Sequence, residues 1–198
     1  GNTSPFWTGG QLDIVSYIEV IGQPDFIFWA LGANDVYSTP DSGIDAKCVT
    51  TINHAITLSD AFKAACPGVV QAFILPNPGS SDPTFWSNNL SSQLNFKRNE
   101  FSIDEYLTNT FGDRPSEGFY IIDSEFQFDP VRGYLDGIHL NSAPGHKQIS
   151  DVLIAWYTHH YNTSSVIKII SVSSEGTTPS IITVVYSHNI TAANTTGL

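Results

Sequence analysis

The 198-residue chain is long enough for one domain with a real hydrophobic core and a few dozen residues besides. Apolar residues make up 41% of it and charged residues only 14%, a composition that excludes a disordered or coiled-coil chain. Nineteen acidic against eight basic side chains give a formal charge of −11, which repels phosphate backbones and anionic lipid surfaces, so nucleic acid is not an expected partner.

No apolar run approaches the length of a membrane span, and no basic-then-apolar leader opens the chain, so a soluble protein is expected. The absence of methionine means that Gly1 is not a translation start, and the chain is expected to be a processed product or a piece of something longer.

Residues 11 to 21 place Ile14, Tyr17, Ile18 and Ile21 on one helical stripe, ended by Gly22 and Pro24. Phe26 to Leu31 is apolar at every position, as a strand covered on both faces requires, and Gly32-Ala33-Asn34-Asp35 follows directly. The stretch from Asp45 to Ala65 reads as a helix with Val49, Ile52 and Ile56 on one face, stopped by Cys66-Pro67-Gly68. Val69 to Leu75 is the next buried strand, Pro76 to Asn88 a loop holding Phe85 and Trp86, Leu90 to Leu107 a helix, and Phe119 to Asp123 a third strand.

Val131 to Asn141 is a glycine-containing loop, after which Ser142 is expected to cap a helix with Pro144 near its first turn and Ile149, Val152, Leu153 and Trp156 facing the core. This alternation of strand and helix predicts an α/β fold with a parallel sheet and helices on both faces. Beyond Asn162 the pattern changes to two β-branched runs, Val166 to Val172 and Ile181 to Tyr186, read as a C-terminal β hairpin. The domain division is therefore 1–163 for the α/β unit and 164–198 for a β-rich appendage or the start of a further module.

Cys48 and Cys66 flank what reads as one helix, whose rise would separate them by about 27 Å. A disulfide needs Cα atoms within about 7 Å, so two free thiols are expected. Five Asn-x-Ser/Thr matches, at Asn2, Asn89, Asn162, Asn189 and Asn194, add weak support for an extracellular or virion-surface setting, since a chain rich in Asn, Ser and Thr produces such matches by chance.

In an open parallel sheet, ligands gather at the carboxyl ends of the strands, which draws attention to Asn34 and Asp35. The Asn34 carboxamide can donate toward a substrate oxygen, or Asn34-Asp35 can be a turn and helix cap. The second signal is Asp136-Gly137-Ile138-His139 in the loop before the final helix. There an imidazole can serve as general base with a carboxylate fixing its tautomer, or the motif can be an Asx turn beside a surface histidine. The other histidines, His54, His146, His159, His160 and His188, have no carboxylate at a useful spacing, and no zinc-like cluster occurs, so no metal or organic cofactor is predicted.

Taken in order, Gly-x-Asn-Asp after a buried strand and Asp-Gly-x-His-Leu-Asn running into the last helix resemble the third and fifth sequence blocks of SGNH (GDS-type) hydrolases. The resemblance spans roughly residues 1 to 160, including Ser4-Pro5-Phe6-Trp7 and the approach to Pro24-Asp25-Phe26. It implies a flavodoxin-like three-layer α/β/α sandwich and a serine esterase mechanism. Carried onto this chain, it makes His139 the general base, Asp136 its orienting partner and Asn34 an oxyanion-hole donor, with Gly1 as a second oxyanion donor through its N–H.

The family's Gly-Asp-Ser block with the nucleophile is absent from the 198 residues. Ser4 does not replace it, because only three residues precede it and no strand can support it. The resemblance thus implies an upstream segment carrying Gly-Asp-Ser, whose strand would otherwise leave Phe26 to Leu31 as an open, aggregation-prone edge. Family substrates are carbohydrate acetyl esters, lipid esters and other small esters. Phe85 and Trp86 are candidates for stacking on a sugar ring or for ordinary packing. The alternative from another class is a non-catalytic glycan-binding or structural module of a surface or virion assembly.

Overall fold

A computed structural model describes residues 7–8, 11–112, 114–161, 169–174 and 182–186. Its elements in chain order are β1 (Trp7–Thr8), β2 (Gln11–Leu12), α1 (Ile14–Ile21), β3 (Phe26–Ala30), α2 (Ala33–Val36), α3 (Ile44–Ala65), β4 (Val70–Ile74), α4 (Leu90–Phe111), β5 (Phe119–Ile122), α5 (Gly145–Tyr161), β6 (Ile169–Ser174) and β7 (Ile182–Tyr186). The fold is mixed α/β. Three of the strands form a parallel sheet in the order β3-β4-β5, with Phe28 opposite Ala72 and Ala72 opposite Tyr120.

The apolar strands work as their composition requires, each parity serving one face. Trp29, Phe73 and Phe119 join one buried cluster with side chains of α1, α3 and α4. Ala72, Ile74 and Ile122 join another with Ile149, Val152 and Leu153 of α5, while Phe28 and Tyr120 pack edge-on against Trp156. Gln71 is the polar exception on the first face. Its amide oxygen accepts from the Trp29 indole at 2.8 Å and its amide nitrogen donates to the Ser59 carbonyl at 3.0 Å, so its burial leaves neither group unsatisfied.

Several boundaries and faces differ from the sequence reading. Gln11 and Leu12 pair antiparallel with Thr8 and Trp7, and the helix starts only at Ile14, where Asp13 accepts the Ser16 N–H. In α3 the buried face is Cys48, Ile52, Ala55, Ser59 and Phe62, whereas Val49 is 46% exposed. Small residues at 48, 55 and 59 let the helix approach its neighbours closely, and counting only large apolar residues misplaced the stripe.

α4 runs one turn beyond Leu107 because Phe111 stacks on Phe73 with ring centroids 3.8 Å apart. α5 begins at Gly145, three residues past Ser142, and its first N–H is accepted at 2.8 Å by the side-chain oxygen of Asn141. Cys48 and Cys66 are free, buried thiols, one in the first turns of α3 and the other just past its end. β6 and β7 pair antiparallel, with Val172 opposite Val184, while the residues between them lie outside the described set. Among the described residues, no helix is long and apolar enough to cross a membrane.

Candidate active site

At the carboxyl end of β3 the backbone must leave the sheet at once, and Gly32 makes that possible. Its φ is +105°, and a Cβ there would stand 2.7 Å from Ile103 of α4, so both conformation and space call for glycine. The turn delivers Asn34 to the exposed side of α2. Val36 anchors α2 in the core, and Asn99 of α4 donates to the Val36 carbonyl at 2.8 Å. Neither Asn34 nor Asp35 caps a helix: the N-cap position of α2 is Gly32, with no side-chain hydrogen bond. The Asn34 carboxamide is exposed and open toward solvent.

The loop before α5 brings Asp136 and His139 together. One Asp136 oxygen accepts the backbone N–H groups of Ile138 and His139, each at 2.8 Å, and the other meets His139 Nδ1 at 2.8 Å. A carboxylate can only accept, so the pairing places the imidazole proton on Nδ1 and leaves Nε2 with its lone pair free to take a proton. Desolvation raises the Asp136 pKa, but the two backbone donors and the imidazole outweigh it, and the carboxyl sits below its ordinary range. Asp136 thus closes an Asx turn with one oxygen and meets the imidazole with the other, a geometry compatible with either reading of the motif.

This loop is held from below. Leu135 N–H donates to the His139 carbonyl at 2.7 Å, closing the turn, and Asn141 donates to the Arg132 and Tyr134 carbonyls while its oxygen accepts the Gly145 N–H. From the β4 side, the buried Tyr134 hydroxyl accepts the Gly79 N–H at 2.9 Å, and Ser80 N–H donates to the Gly137 carbonyl at 2.8 Å. Trp86 Nε1 and Gln93 Nε2 both donate to the Ser80 carbonyl at 2.9 Å. The Trp86 ring lies flat enough against Gly137 that a Cβ there would be 3.1 Å away.

Trp86 thus packs directly on the Asp136–His139 loop while facing a cleft of about 890 Å³, which Phe85 and Tyr37 also line. Tyr37 follows α2, and the cleft runs between residues 37–41 and residues 85–98; neither Asn34 nor any residue of the Asp136–His139 loop lines it.

The structure thus joins His139 to Asp136 and sets Phe85 and Trp86 together on the cleft wall; Gly1 lies outside the described residues. Sequence reasoning missed Tyr134, Ser80, Gln93 and Asn141, which position the loop. Only the small-residue run Pro78-Gly79-Ser80-Ser81 hinted that a backbone would approach closely there. Among the described residues, no group of three His, Cys, Asp or Glu side chains is arranged to hold a metal ion. Comparison with protein-family models and with curated proteins finds no match for this chain.

Proposed function

We propose that this chain belongs to a secreted or virion-surface serine esterase of the SGNH type, with a flavodoxin-like three-layer sandwich, that hydrolyses acyl esters, foremost O-acetyl esters of carbohydrate. The observation that carries the reading is the Asp136–His139 pair, with Nδ1 held by the carboxylate and Nε2 open, in a braced loop leading into α5.

In this mechanism a serine Oγ attacks the ester carbonyl while His139 Nε2 takes the hydroxyl proton. The imidazolium, stabilised by Asp136, passes that proton to the leaving alcohol as the C–O bond breaks. Water then repeats the sequence on the acyl-enzyme, releasing acetate and regenerating the serine. Asn34 and the Gly1 N–H stabilise the oxyanion. The serine is supplied by a Gly-Asp-Ser segment N-terminal to Gly1, whose strand pairs with β3. Among the described strands β3 is bonded on one edge only, and its Phe26, Ile27 and Phe28 are half-buried.

The complete protein should turn over p-nitrophenyl acetate and lose that activity to a serine-directed phosphonate, while residues 1–198 alone should be inert and poorly soluble. A monomeric, cooperatively folded and esterolytic 198-residue chain would overturn the proposal. The cleft favours a second reading, a glycan-binding module without catalysis, which an intact fold lacking the upstream serine would support.

A further inference from the structure

An acetyl group fills only a small part of a cleft of about 890 Å³, a volume at the upper end of the range found for ligand sites. Since neither Asn34 nor His139 lines it, the cleft concerns a part of the ligand that lies beyond any ester. The floor of the cleft is aromatic: Phe96 takes the edge of Tyr37, with centroids 5.7 Å apart, and the tilted face of Trp86 at 5.5 Å. Tyr37 is 45% exposed and Phe85 39%, so two flat rings on the cleft wall are offered to solvent.

The rim has a different character. Ser87, Asn89 and Ser92 bring hydroxyl and carboxamide groups, which both donate and accept, while Asn95 donates to the Thr39 carbonyl. Among the residues lining the cleft, the one cation, Arg98, is bonded to the one anion, Asp41, and also to the Asn95 oxygen at 2.6 Å. Their charges cancel locally in a chain of net charge −11. The N-terminal donors of α4 reach the cleft too, but Asn89 already accepts the Ser92 N–H.

Aromatic faces below and neutral, two-way hydrogen-bonding groups above match a ligand whose faces are C–H and whose edges are hydroxyl. A fatty chain would make no use of the polar rim, and an anionic ligand would meet no uncommitted cation. We infer that the cleft between Tyr37 and Arg98 is a binding site for a neutral, unmodified oligosaccharide, recognised independently of any ester it carries. The inference deepens the esterase reading and rests on it only for where the ester lies. Trp86 links the two, holding sugar on one side and Gly137 of the histidine loop on the other.

The test is isothermal titration of the complete protein with unacetylated xylohexaose, cellohexaose and chitohexaose, and with a hexagalacturonate as the anionic counterpart. At least one neutral hexasaccharide should bind more tightly than the galacturonate. Phe85→Ala and Tyr37→Ala should each weaken it about 2- to 10-fold, the loss expected for one aromatic face. Tyr37→Phe should keep most of the affinity, and His139→Ala should bind as the parent does.

Thermal unfolding of each variant checks that folding is intact, and both rings are exposed enough for truncation to be tolerated. Failure of all three neutral sugars to bind, preference for the galacturonate, or affinity indifferent to both ring truncations would overturn the inference even if acetyl-ester turnover persisted. Sugar binding without any esterase activity would leave it standing and overturn the catalytic proposal instead.

Discussion

Replacing Glu100 with glutamine should stabilise the protein at neutral and alkaline pH, and the gain should vanish in acid. Glu100 projects from α4 into the core with 1% of its surface exposed, and neither carboxyl oxygen has a hydrogen-bond partner. Asp104, one turn on, is likewise buried at one oxygen without a partner. The groups whose charges reach the pair are Tyr134, Cys48, Asp123 and Glu125, none of them a cation. Burial, with a smaller push from Asp104, raises the Glu100 pKa from 4.5 to about 9, and burial followed by Glu125 and Asp123 raises Asp104 to about 8.

A raised carboxyl pKa means that the folded state holds a proton the unfolded chain releases. Stability is fully present below pH 4.5, declines as pH rises, and is lost by about pH 9. At about 1.4 kcal/mol per pH unit between the unfolded value and the working pH, the Glu100 contribution is about 3 kcal/mol at pH 7 and at most about 6 above pH 9. Glutamine keeps the shape without the proton linkage, so urea unfolding across pH 4 to 9 should give two curves that meet in acid and diverge by these amounts. Parallel curves, as an exposed carboxylate would give, or a divergence in favour of glutamate, as a partnered carboxylate would give, would refute the reasoning.

Further outcomes follow from the site. His139→Ala should lower kcat on an acetyl ester by about 10⁴-fold or more, and Asp136→Asn should be damaging as well, since the wrong tautomer is then favoured; steady-state kinetics of the complete protein measure both. Asn34→Ala should reduce kcat by about 10²- to 10³-fold with KM and Tm little changed, because its carboxamide is exposed and caps nothing, whereas matched losses of folding and turnover would identify a structural role. Tyr134→Phe removes one of the two acceptors of the Gly79 N–H, leaving it the Asn77 carbonyl, and should cost about 0.5–1.5 kcal/mol in denaturant unfolding while loosening the β4 loop from the histidine loop. Since Asp136 has a lowered pKa, its support of the loop is present above its ordinary value of 3.8 and lost below it, which an NMR titration of the Ile138 and His139 amides should detect as acid-induced release.

The sheet was legible because burial on both faces demands nearly continuous apolar runs, and Phe26 to Leu31, Val69 to Leu75 apart from Gln71, and Phe119 to Ile122 meet that demand without reference to anything distant. The Asp136–His139 pair was legible for a similar reason, since three residues of turning backbone bring the carboxylate to the ring wherever the loop sits. What needed the tertiary structure was everything whose partner lies far along the chain.

The buried face of α3 depends on how closely α4 and the sheet approach it, which small residues such as Ala55 and Ser59 permit but do not announce. Tyr134 and Ser80 look like ordinary loop residues until Gly79 and Gly137 arrive opposite them. Trp86 was open between packing and recognition because only assembly of the fold shows that one face of the ring covers Gly137 while the residue also lines the cleft. Periodicity records which residues must avoid water; contacts across 50 residues are decided by the packing that then brings loops together.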